Sequence, residues 1–446
     1  MAMVGKALAG IALVGMLLTV NTTSEASIQQ SLTTTPERVS EATVPGRIAF
    51  TSNQRIWIFD AHEKGSEPVQ VTREGSAVLV GWSHDGEWLL YMHYPGADLS
   101  DGYLWAASKD ASTTIQLDER PVRGAPKWAP YSLQVAYVTE VARDGETKRE
   151  FVIKAIKDGK EAETVSTSPA DFADFTWMPD GEAFLVSTQA EQNRPMTLSL
   201  RDLNGNQQAA YPIAEPPDVQ DGINPWAPMG MQVSPDGRFV AYYVQYNSAS
   251  LSADGVPIQL FDLGEPSDKP LEIGEGLAYR EWLAWSPDSK QLAFINGGDR
   301  MATHNKRLRI IDPSGNVIFE TEREKVASFP VWTSQAPYSL AYTSGIGVPY
   351  EYAEERVLVP GQRIWKRDAS GEVRQLATGS EQTADTFPAL SSDGGLLLFV
   401  RLDAANKGAL YVAQDGKESE LLRQVTGEVG YYGNYLPKWI DVYWDK

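Results

Sequence analysis

The chain of 446 residues contains no cysteine, and this absence removes several kinds of chemistry at once. It excludes disulfide bonds, thiolate metal ligands, a cysteine nucleophile and a lipid anchor on an N-terminal cysteine. Histidine is almost as scarce, with four residues, so a metal site built on imidazoles is not expected. His62 and His84 fall in predicted turns, whereas His93 and His304 could both reach a face rich in loops.

Basic charge is also in short supply, because 39 lysines and arginines face 59 aspartates and glutamates, a formal net charge of −20. Nucleic acids and anionic membranes attract basic surfaces, so neither is an expected partner. The simplest interpretation of the acidity is solubility, with a cationic partner or a divalent metal as the alternatives.

Long hydrophobic runs are missing apart from Ala7 to Val20, an uncharged stretch of 14 residues. It follows Lys6 and precedes Ser24-Glu25-Ala26, which is the order of a secretory signal and its cleavage site. We therefore expect a signal peptide at 1–26, a Ser-, Thr-, Glu- and Pro-rich flexible spacer at 27–45, and a domain at 46–446. The alternative is an uncleaved anchor that retains the protein at the cell envelope. After cleavage no transmembrane span is expected.

Familiar catalytic motifs are absent too. The sequence has no G-x-S-x-G nucleophile elbow, no P-loop and no G-x-G-x-x-G. The calcium-loop pattern D-x-[DN]-x-[DN]-G does not occur, and the D-x-x-G copies are typical of β-turns. No catalytic residue, cofactor or metal site is predicted, and a non-enzymatic role is favoured.

What the chain does contain is an internal repeat. The segment L-A-W-S-P-D-S-K-Q-L-A-F-I at 283–295 recurs in variant form with a period near fifty residues, which is the mark of one structural unit used many times. Each copy has an anchor residue at the end of its first extended stretch. The anchors are Trp82, Trp128, Trp177, Val233, Trp285, Trp332 and Leu390.

Each unit predicts four short strands. An S-P-D-G turn follows the anchor, and the strand after it carries an aromatic residue such as Tyr91, Tyr242 or Phe294. A third strand, such as Leu308-Arg309-Ile310, leads to a D-x-x-G turn and a fourth strand. Four antiparallel strands per fifty residues form the blade of a β-propeller, an all-β fold.

These copies resemble the TolB-type, WD-like β-propeller repeat, over roughly residues 46–444. The resemblance implies a fold and no particular activity, since this repeat occurs in translocation accessories, peptidase gating domains and polysaccharide-active proteins. Residues 46–72 supply three strands without an anchor, and Pro437-Lys438-Trp439 resembles an anchor strand without a blade. Their pairing would close a ring of eight blades, with seven as the alternative.

The loops between second and third strands, and between fourth and first strands, share one face of a propeller and hold nearly all the insertions. Function usually resides in long loops on a rigid scaffold, so this loop-rich face is the predicted binding surface. The insertions run from Tyr94 to Gly102, Val141 to Glu150, Ala214 to Gly230, Asn247 to Val256, Gly297 to Lys306, Gly345 to Pro360 and Gly427 to Asn434. The candidate binding residues are Tyr94, Asp98, Trp226, Tyr246, His304, Tyr350, Tyr352, Glu354, Tyr431 and Tyr432.

Aromatic and acidic side chains together suit sugar rings or basic and Pro-rich peptides. The sequence therefore predicts a secreted, monomeric scaffold that binds a protein, a peptide or a cell-wall glycan. The rival is a carbohydrate lyase or hydrolase with its site at the loop-rich face or the mouth of the channel. The residues before the anchors predict the channel lining, and they form no convergent charge cluster: Gly81, Lys127, Thr176, Gln232, Ala284, Val331, Ala389 and Lys438.

Overall fold

The computed structural model describes residues 35–96, 99–143, 145–216, 222–267, 269–349, 358–427 and 437–445. They form eight antiparallel sheets, seven of four strands and one that gains a fifth, arranged as the blades of a β-propeller, as the repeat predicts. In each sheet the strand that ends near the anchor is innermost, and the strands then follow outwards in chain order.

The first four blades begin with the composite one. Their strands, each blade from the inside outwards, are β33 (Ile440–Trp444), β2 (Gly46–Ser52), β3 (Arg55–Asp60) and β4 (Val69–Gln70) in blade 1; β5 (Ser76–Trp82), β6 (Trp88–Tyr94), β7 (Tyr103–Ser108) and β8 (Thr114–Gln116) in blade 2; β9 (Val122–Trp128), β10 (Gln134–Arg143), β11 (Glu146–Lys157) and β12 (Glu161–Pro169) in blade 3; and β13 (Asp174–Trp177), β14 (Ala183–Thr188), β15 (Met196–Asp202) and β16 (Gln207–Ala214) in blade 4.

The other four blades follow the same pattern. Their strands are β17 (Pro225–Val233), β18 (Phe239–Tyr246), β19 (Val256–Asp262) and β20 (Leu271–Gly276) in blade 5; β21 (Leu283–Trp285), β22 (Leu292–Asn296), β23 (Arg307–Ile311) and β24 (Val317–Glu320) in blade 6; β25 (Lys325–Trp332), β26 (Leu340–Ile346), β27 (Arg363–Arg367) and β28 (Val373–Gln375) in blade 7; and β29 (Ala384–Leu390), β30 (Leu396–Leu402), β31 (Gly408–Gln414) and β32 (Lys417–Val425) in blade 8. Helix is confined, in the described residues, to α1 (Ala249–Ala253) and a 3₁₀ turn (Arg280–Trp282).

The ring closes where the sequence predicts, by pairing of the C-terminal strand β33 with β2. The anchor is not Trp439, however. Val442 pairs with Ile48 as Trp82 pairs with Leu89, and the Trp82 indole donates to the carbonyl of Asp441. The anchor of blade 1 is therefore Val442, and the prediction of Trp439 was wrong by three residues.

Part of the predicted spacer also joins the ring. The short strand β1 (Glu37–Arg38) pairs with β32 and gives blade 8 a fifth strand. The Arg38 guanidinium donates to the carbonyl oxygens of Glu63 and Ser66 in blade 1, so this segment links two adjacent blades near the point of closure.

The core lies between the blades. Eight clusters of buried apolar residues each join one blade to its neighbour, and together they follow the whole ring. Between blades 3 and 4, for example, Phe151 packs against Phe184 with ring centroids 4.8 Å apart. Burial of this kind contributes about 25 cal/mol per Å² of apolar surface and dominates the stability of the ring.

The repeated tryptophans connect the blades by a second means. Each indole N–H donates to the backbone carbonyl of the residue before the preceding blade's anchor. Trp128 reaches Gly81 at 2.9 Å, Trp177 reaches Lys127 at 3.1 Å, and Trp332 reaches Ala284 at 3.0 Å. Tryptophan at the anchor thus combines a large apolar surface with a hydrogen bond that fixes the spacing of neighbouring blades.

Candidate functional site: the loop-rich face and the channel

The two faces of the ring are built differently. We call the face that carries the connections between first and second strands, and between third and fourth strands, the turn face. There the loops between first and second strands repeat one arrangement. In blade 5 the Ser234 hydroxyl donates to Asp236 at 2.5 Å and accepts from the Phe239 amide at 2.9 Å. The described loops of the opposite, loop-rich face are longer and differ in their contacts, and a binding function specific to this protein can be encoded in such loops.

Two of the predicted insertions on the loop-rich face are partly strand. Val141 to Glu150 is a β-hairpin, since β10 and β11 pair as far as Arg143 with Glu146. β17 begins at Pro225, inside the insertion predicted from Ala214 to Gly230. The extra residues lengthen blades 3 and 5 because they continue the ladder hydrogen bonds beyond the typical blade.

Four of the ten candidate residues lie in the described parts of the chain. Tyr94 is buried in the core of blade 2, with 8% of its surface exposed, so its ring packs inside the blade. Trp226 and Tyr246 are half-buried on the paired strands β17 and β18 of blade 5, and His304 lies on blade 6. The other six lie outside the described residues: Asp98, Tyr350, Tyr352, Glu354, Tyr431 and Tyr432.

His304 belongs to a compact polar cluster in the loop at 297–306. Its Nδ1 lies 2.9 Å from Oδ2 of Asp299, and its side chain is about two-fifths exposed. Beneath it the Lys306 ammonium is fully buried and donates to the carbonyl oxygens of Gly298, Asp299 and His304 at 2.7, 3.0 and 3.1 Å. Burial lowers the pKa of Lys306 to about 8, although Asp299 opposes the shift. The Lys306 ammonium therefore holds three carbonyl groups of the loop around one positive charge, as a bound metal cation would.

The channel holds a second polar cluster, whose centre is Asp174 at the start of β13. Both of its carboxylate oxygens are fully engaged. Oδ1 accepts from Lys127 at 3.2 Å and from the Phe175 amide at 2.8 Å, and Oδ2 accepts from the amides of Gly230 and Met231 at 2.9 and 3.4 Å. Asp174 thereby ties together the inner strands of blades 3, 4 and 5.

Lys127, the partner of Asp174, is itself buried. Its ammonium also donates to the Phe175 carbonyl and lies 4.6 Å from the centroid of that ring. Burial lowers the pKa of Lys127 to about 8; the charge of Asp174 opposes this shift and the charge of Arg280 adds to it. Two cations therefore lie within electrostatic reach of each other on this side of the channel.

Arg280 and Glu281 enter the channel from the 3₁₀ turn before β21. The Arg280 carbonyl accepts from the Gln232 side chain at 3.3 Å, which fixes the turn against blade 5. Burial lowers the pKa of Arg280 and raises that of Glu281, while the nearby charge of Lys438 opposes the shift of Glu281. Glu281 is nevertheless exposed to solvent, so the protein surrounds it without sealing it off. Lys438 forms an ion pair with Asp441 on blade 1.

The opposite side of the ring centre is aromatic. Phe329, Phe387 and Trp439 each lie three residues before the anchors of blades 7, 8 and 1, and all three are buried. Their ring centroids are 4.9 Å apart between the phenylalanines and 5.9 Å apart between Phe387 and Trp439. Both phenylalanines have positive φ, 52° and 51°, at bulges of the inner strands. Such strain in a bulky residue persists only where packing on all sides holds it.

Sequence reasoning missed the charged cluster because it considered only the residue before each anchor. Asp174, Arg280 and Glu281 lie three to five residues before their anchors, Asp174 at the start of β13 and the other two in the 3₁₀ turn before β21. The predicted lining residue Lys438 is also displaced, since Asp441 precedes the true anchor Val442. A charge three residues before an anchor, where blades 7 and 8 carry phenylalanine, is the signal that the sequence did offer.

Two structural searches concern the described residues alone. None of their helices is long and apolar enough to cross a membrane. Within the same ranges, no three His, Asp or Glu side chains are grouped so that they could hold a metal ion. The Asp of each D-x-x-G turn is engaged by backbone amides, as Asp312 is by Ser314 and Asn316 at 2.9 and 3.0 Å.

Comparison with known proteins relates the chain by structure alone. No family model and no curated protein matches its sequence. Among solved structures, it is similar to Sqt1 from Chaetomium thermophilum, with 13% identity over 83% of this chain and 91% of that one and a TM-score of 0.51. A putative TolB from Agrobacterium tumefaciens shares 18% identity over 59% of this chain and 86% of its own, with a TM-score of 0.31.

A peptidase is also among the similar structures. An acylaminoacyl peptidase in complex with a chloromethyl ketone shares 12% identity over 78% of this chain, with a TM-score of 0.44, and the present chain spans about half, 52%, of its length. At sequence identities this low, the likeness shows a shared fold and no shared activity. The chain is a β-propeller, with neighbours that include TolB and peptidases, and its activity must be inferred from its own residues.

Proposed function

We propose that this protein is an exported, non-enzymatic β-propeller that binds a protein, a peptide or a cell-wall glycan through its loop-rich face. The observation that carries the proposal is the contrast between the faces. One repeats a short hydrogen-bonded turn, whereas the other bears long loops that are each built by their own contacts. A rigid ring with one individual face is the usual arrangement of a recognition scaffold.

Rigid support of the loops favours recognition, because a preorganised surface loses less entropy when it binds. The loop at 297–306 is held from within by Lys306, and its Arg300 pairs with Asp254 of the neighbouring loop on blade 5. Exposed carboxylates in the loops between fourth and first strands, such as those of Glu119, Glu324 and Glu381, add negative charge at the rim. A partner with basic groups or hydroxyl groups would complement such a surface.

The proposal can be tested by affinity capture with two matched variants. The loop-face variant carries His304→Ala together with Tyr350→Ala, Tyr352→Ala and Glu354→Ala, three residues that the sequence predicts on this face. The turn-face control carries Tyr131→Ala and Lys290→Ala, two exposed residues of the opposite face. Ligands from the producing cell's envelope and medium are identified, and each is titrated against all three proteins. We expect the loop-face variant to bind at least about tenfold more weakly, and the control to bind like the parent. Equal binding by the loop-face variant would refute the proposal.

An enzymatic alternative rests on the His304–Asp299 pair. A histidine held by a carboxylate through Nδ1 and partly open to solvent is the arrangement of a general base. This pair would suit proton abstraction from, or hydrolysis of, a polysaccharide. Incubation with pectic and cell-wall polysaccharides decides between the two: release of oligosaccharides by the parent and its loss in His304→Ala would support the enzyme.

Export rests on the sequence of residues 1–26, and the same culture can test it. N-terminal sequencing of the mature protein should find Ser27 at the new terminus in the medium. An intact N-terminus in the membrane fraction would instead support an accessory protein of the envelope held by an uncleaved anchor.

A further inference from the structure

Strands from the N-terminal and C-terminal parts of the chain are exchanged where the ring closes. The C-terminal strand β33 pairs with β2 of blade 1. In return, the N-terminal strand β1 pairs with β32 of blade 8, and the Val39 amide continues this ladder to the Leu421 carbonyl at 3.0 Å. Because β1 leads directly into β2, this second ladder joins blades 8 and 1 at their outer edge. We call the contact between these two blades the seam.

The residues around β1 are fixed to blade 1 as well as to blade 8. The Arg38 guanidinium donates to the Glu63 carbonyl at 2.9 Å, and to the carbonyl and the hydroxyl oxygens of Ser66 at 3.0 Å each. The same group lies 5.3 Å from the centroid of the Phe59 ring. Val44, further along the segment, is fully buried in the apolar core of the seam. Residues 36–44 therefore bridge the seam, and we call them the clasp.

The core of the seam includes three buried polar atoms that have no hydrogen-bond partner in the described parts of the chain: Ser52 Oγ, Trp57 Nε1 and Thr386 Oγ1. Trp57 belongs to the core itself, and Ser52 lies on the same side of β2 as the core residue Phe50. Thr386 is paired with Val400, another residue of this core. A buried donor or acceptor without a partner destabilises the contact that encloses it. These atoms weaken the seam from within, so a further link at its outer edge has a physical reason.

We propose that the clasp controls opening of the ring at the seam. While the clasp is docked, β2 and β33 can separate only if the β1–β32 ladder and the contacts of Arg38 break as well. Once Arg38 is released, the two paired residues of β1 are too few to hold the segment, because short ladders are marginally stable. Closure then depends on β33. This device is independent of what the loop-rich face binds.

Hydrogen exchange of the whole chain, followed by mass spectrometry, tests the clasp in Arg38→Met. We expect exchange to accelerate about tenfold in β2 and β33, because loss of the charge-assisted hydrogen bonds lets the seam open locally. Exchange in β14 and β15 of blade 4, on the far side of the ring, should stay parental. Arg374→Met, at an exposed arginine of β28, is the matched control and should exchange like the parent throughout. Parental exchange of β2 and β33 in Arg38→Met would overturn the proposal.

A reversible cross-link separates release of the clasp from a general loss of stability. The chain has no cysteine, so Glu37→Cys with Arg423→Cys, at a directly paired position of β1 and β32, allows a single intramolecular disulfide. Opposite residues of antiparallel strands are close enough for this bond. When the pair is added to Arg38→Met, the oxidised protein should return β2 and β33 to parental exchange, and the reduced protein should not. Rapid exchange in both forms would contradict the clasp.

The same cysteine pair in the parental background decides the matter if Arg38→Met does not fold by circular dichroism. Oxidation should then slow exchange in β2 and β33 relative to the reduced form and leave β14 and β15 unchanged. Equal exchange of β2 and β33 in the two forms would show that the clasp does not limit opening of the seam.

Discussion

The turn face and the loop-rich face both connect adjacent strands, but the turn face uses one short repeated turn and the loop-rich face uses longer loops with different contacts. On the turn face the Ser–Asp arrangement recurs in blades 2, 5, 6 and 8, with hydroxyl-to-carboxylate distances of 2.6, 2.5, 2.7 and 2.7 Å. On the loop-rich face the polar networks of the described residues differ from blade to blade, as those around Arg120, Lys306 and Asp385 do. The contacts of the turn face are thus nearly the same in these four blades, whereas the contacts of the loop-rich face differ from blade to blade.

The difference shows where each kind of residue contributes. The repeated serines and aspartates satisfy backbone amides that every blade must satisfy, and each bond adds little. The loop-rich face depends on ion pairs that occur once, such as Arg120 bridging Asp118 and Glu150 at 2.8 and 2.7 Å. Removal of a repeated serine should therefore lower the free energy of unfolding slightly and by the same amount in each blade. Removal of one partner of a unique ion pair should lower it by much more.

The largest effect is expected at Asp385, which is completely buried at the loop-rich end of β29. Its carboxylate accepts from Arg401 at 2.7 and 3.0 Å and lies 3.8 Å from Arg363. Asp385→Ala takes from the buried Arg363 the carboxylate that faces it and leaves Arg401 with Glu418, at 3.1 Å, as its remaining acidic partner. Loss of one partner of a buried ion pair typically costs about 3 to 5 kcal/mol. Urea denaturation of the parent and variant measures the loss.

A double variant tests the reason for this loss. Asp385→Ala with Arg363→Met removes the guanidinium that Asp385 faced, so it should be more stable than Asp385→Ala alone. The exposed Asp403, in the loop after β30, serves as the control, and Asp403→Ala should change the free energy of unfolding by less than about 1 kcal/mol. If Asp385→Ala and Asp403→Ala were equally stable, the contrast between the faces would fail.

The sequence predicts the turn face well and the loop-rich face poorly, for a physical reason. A turn that depends on residues five positions apart, such as Ser234 and Phe239, leaves a local pattern that repeats with the blades. The fold and the closure of the ring follow from that pattern. The anchor of blade 1 did not show this pattern because Val442 is followed by Tyr-Trp-Asp-Lys and not by an S-P-D-G turn, and Pro437-Lys438-Trp439 resembled an anchor in its place.

The polar networks depend on residues far apart in the chain, and no local pattern marks them. Lys127 and Asp174 are 47 residues apart, and Arg280 belongs to a third blade. Candidate residues chosen by type and by position in a loop therefore included Tyr94, which the structure buries in a core, and omitted Asp174, whose carboxylate joins three blades. His304 was found because histidine is rare here; its partners Asp299 and Lys306 required the fold of the loop.

A smaller effect is the pH dependence of the free energy of unfolding. Lys306 on the loop-rich face should contribute to it in alkali, and Asp393 on the turn face in acid. Burial lowers the pKa of Lys306 to about 8, below its ordinary 10.5, so the unfolded chain binds more protons above pH 8. The free energy of unfolding should therefore rise between pH 7.5 and 9.5, by about 1 to 2 kcal/mol for one such lysine. On the turn face, amide and hydroxyl donors from Gly395 and Ser391 lower the pKa of Asp393, so its contribution is lost only in acid, as the pH falls through that lowered pKa.

Lys306→Met should reduce the rise between pH 7.5 and 9.5 and leave the share that Lys127 contributes. Denaturation at several pH values follows the slope, which does not depend on how much the substitution itself destabilises the loop. Lys407→Met, at an exposed lysine of the same face, should keep the parental slope. A parental slope in Lys306→Met would mean that the ammonium titrates as it does in the unfolded chain.

The smallest loss of stability is expected at the repeated serines. The test there is whether the three losses are equal. Ser234, Ser286 and Ser391 each donate to an aspartate and accept from the amide five residues later, at 2.9 Å in all three turns. Replacement of each by alanine should cost about 1 kcal/mol, since one neutral and one charge-assisted bond are lost while the aspartate keeps its backbone donors. Denaturation midpoints of the three variants should agree, and exposed Ser314→Ala should match the parent. Costs that differed several-fold among the three turns would show that the turn face is individual too, because the same local bonds would then depend on the blade around them.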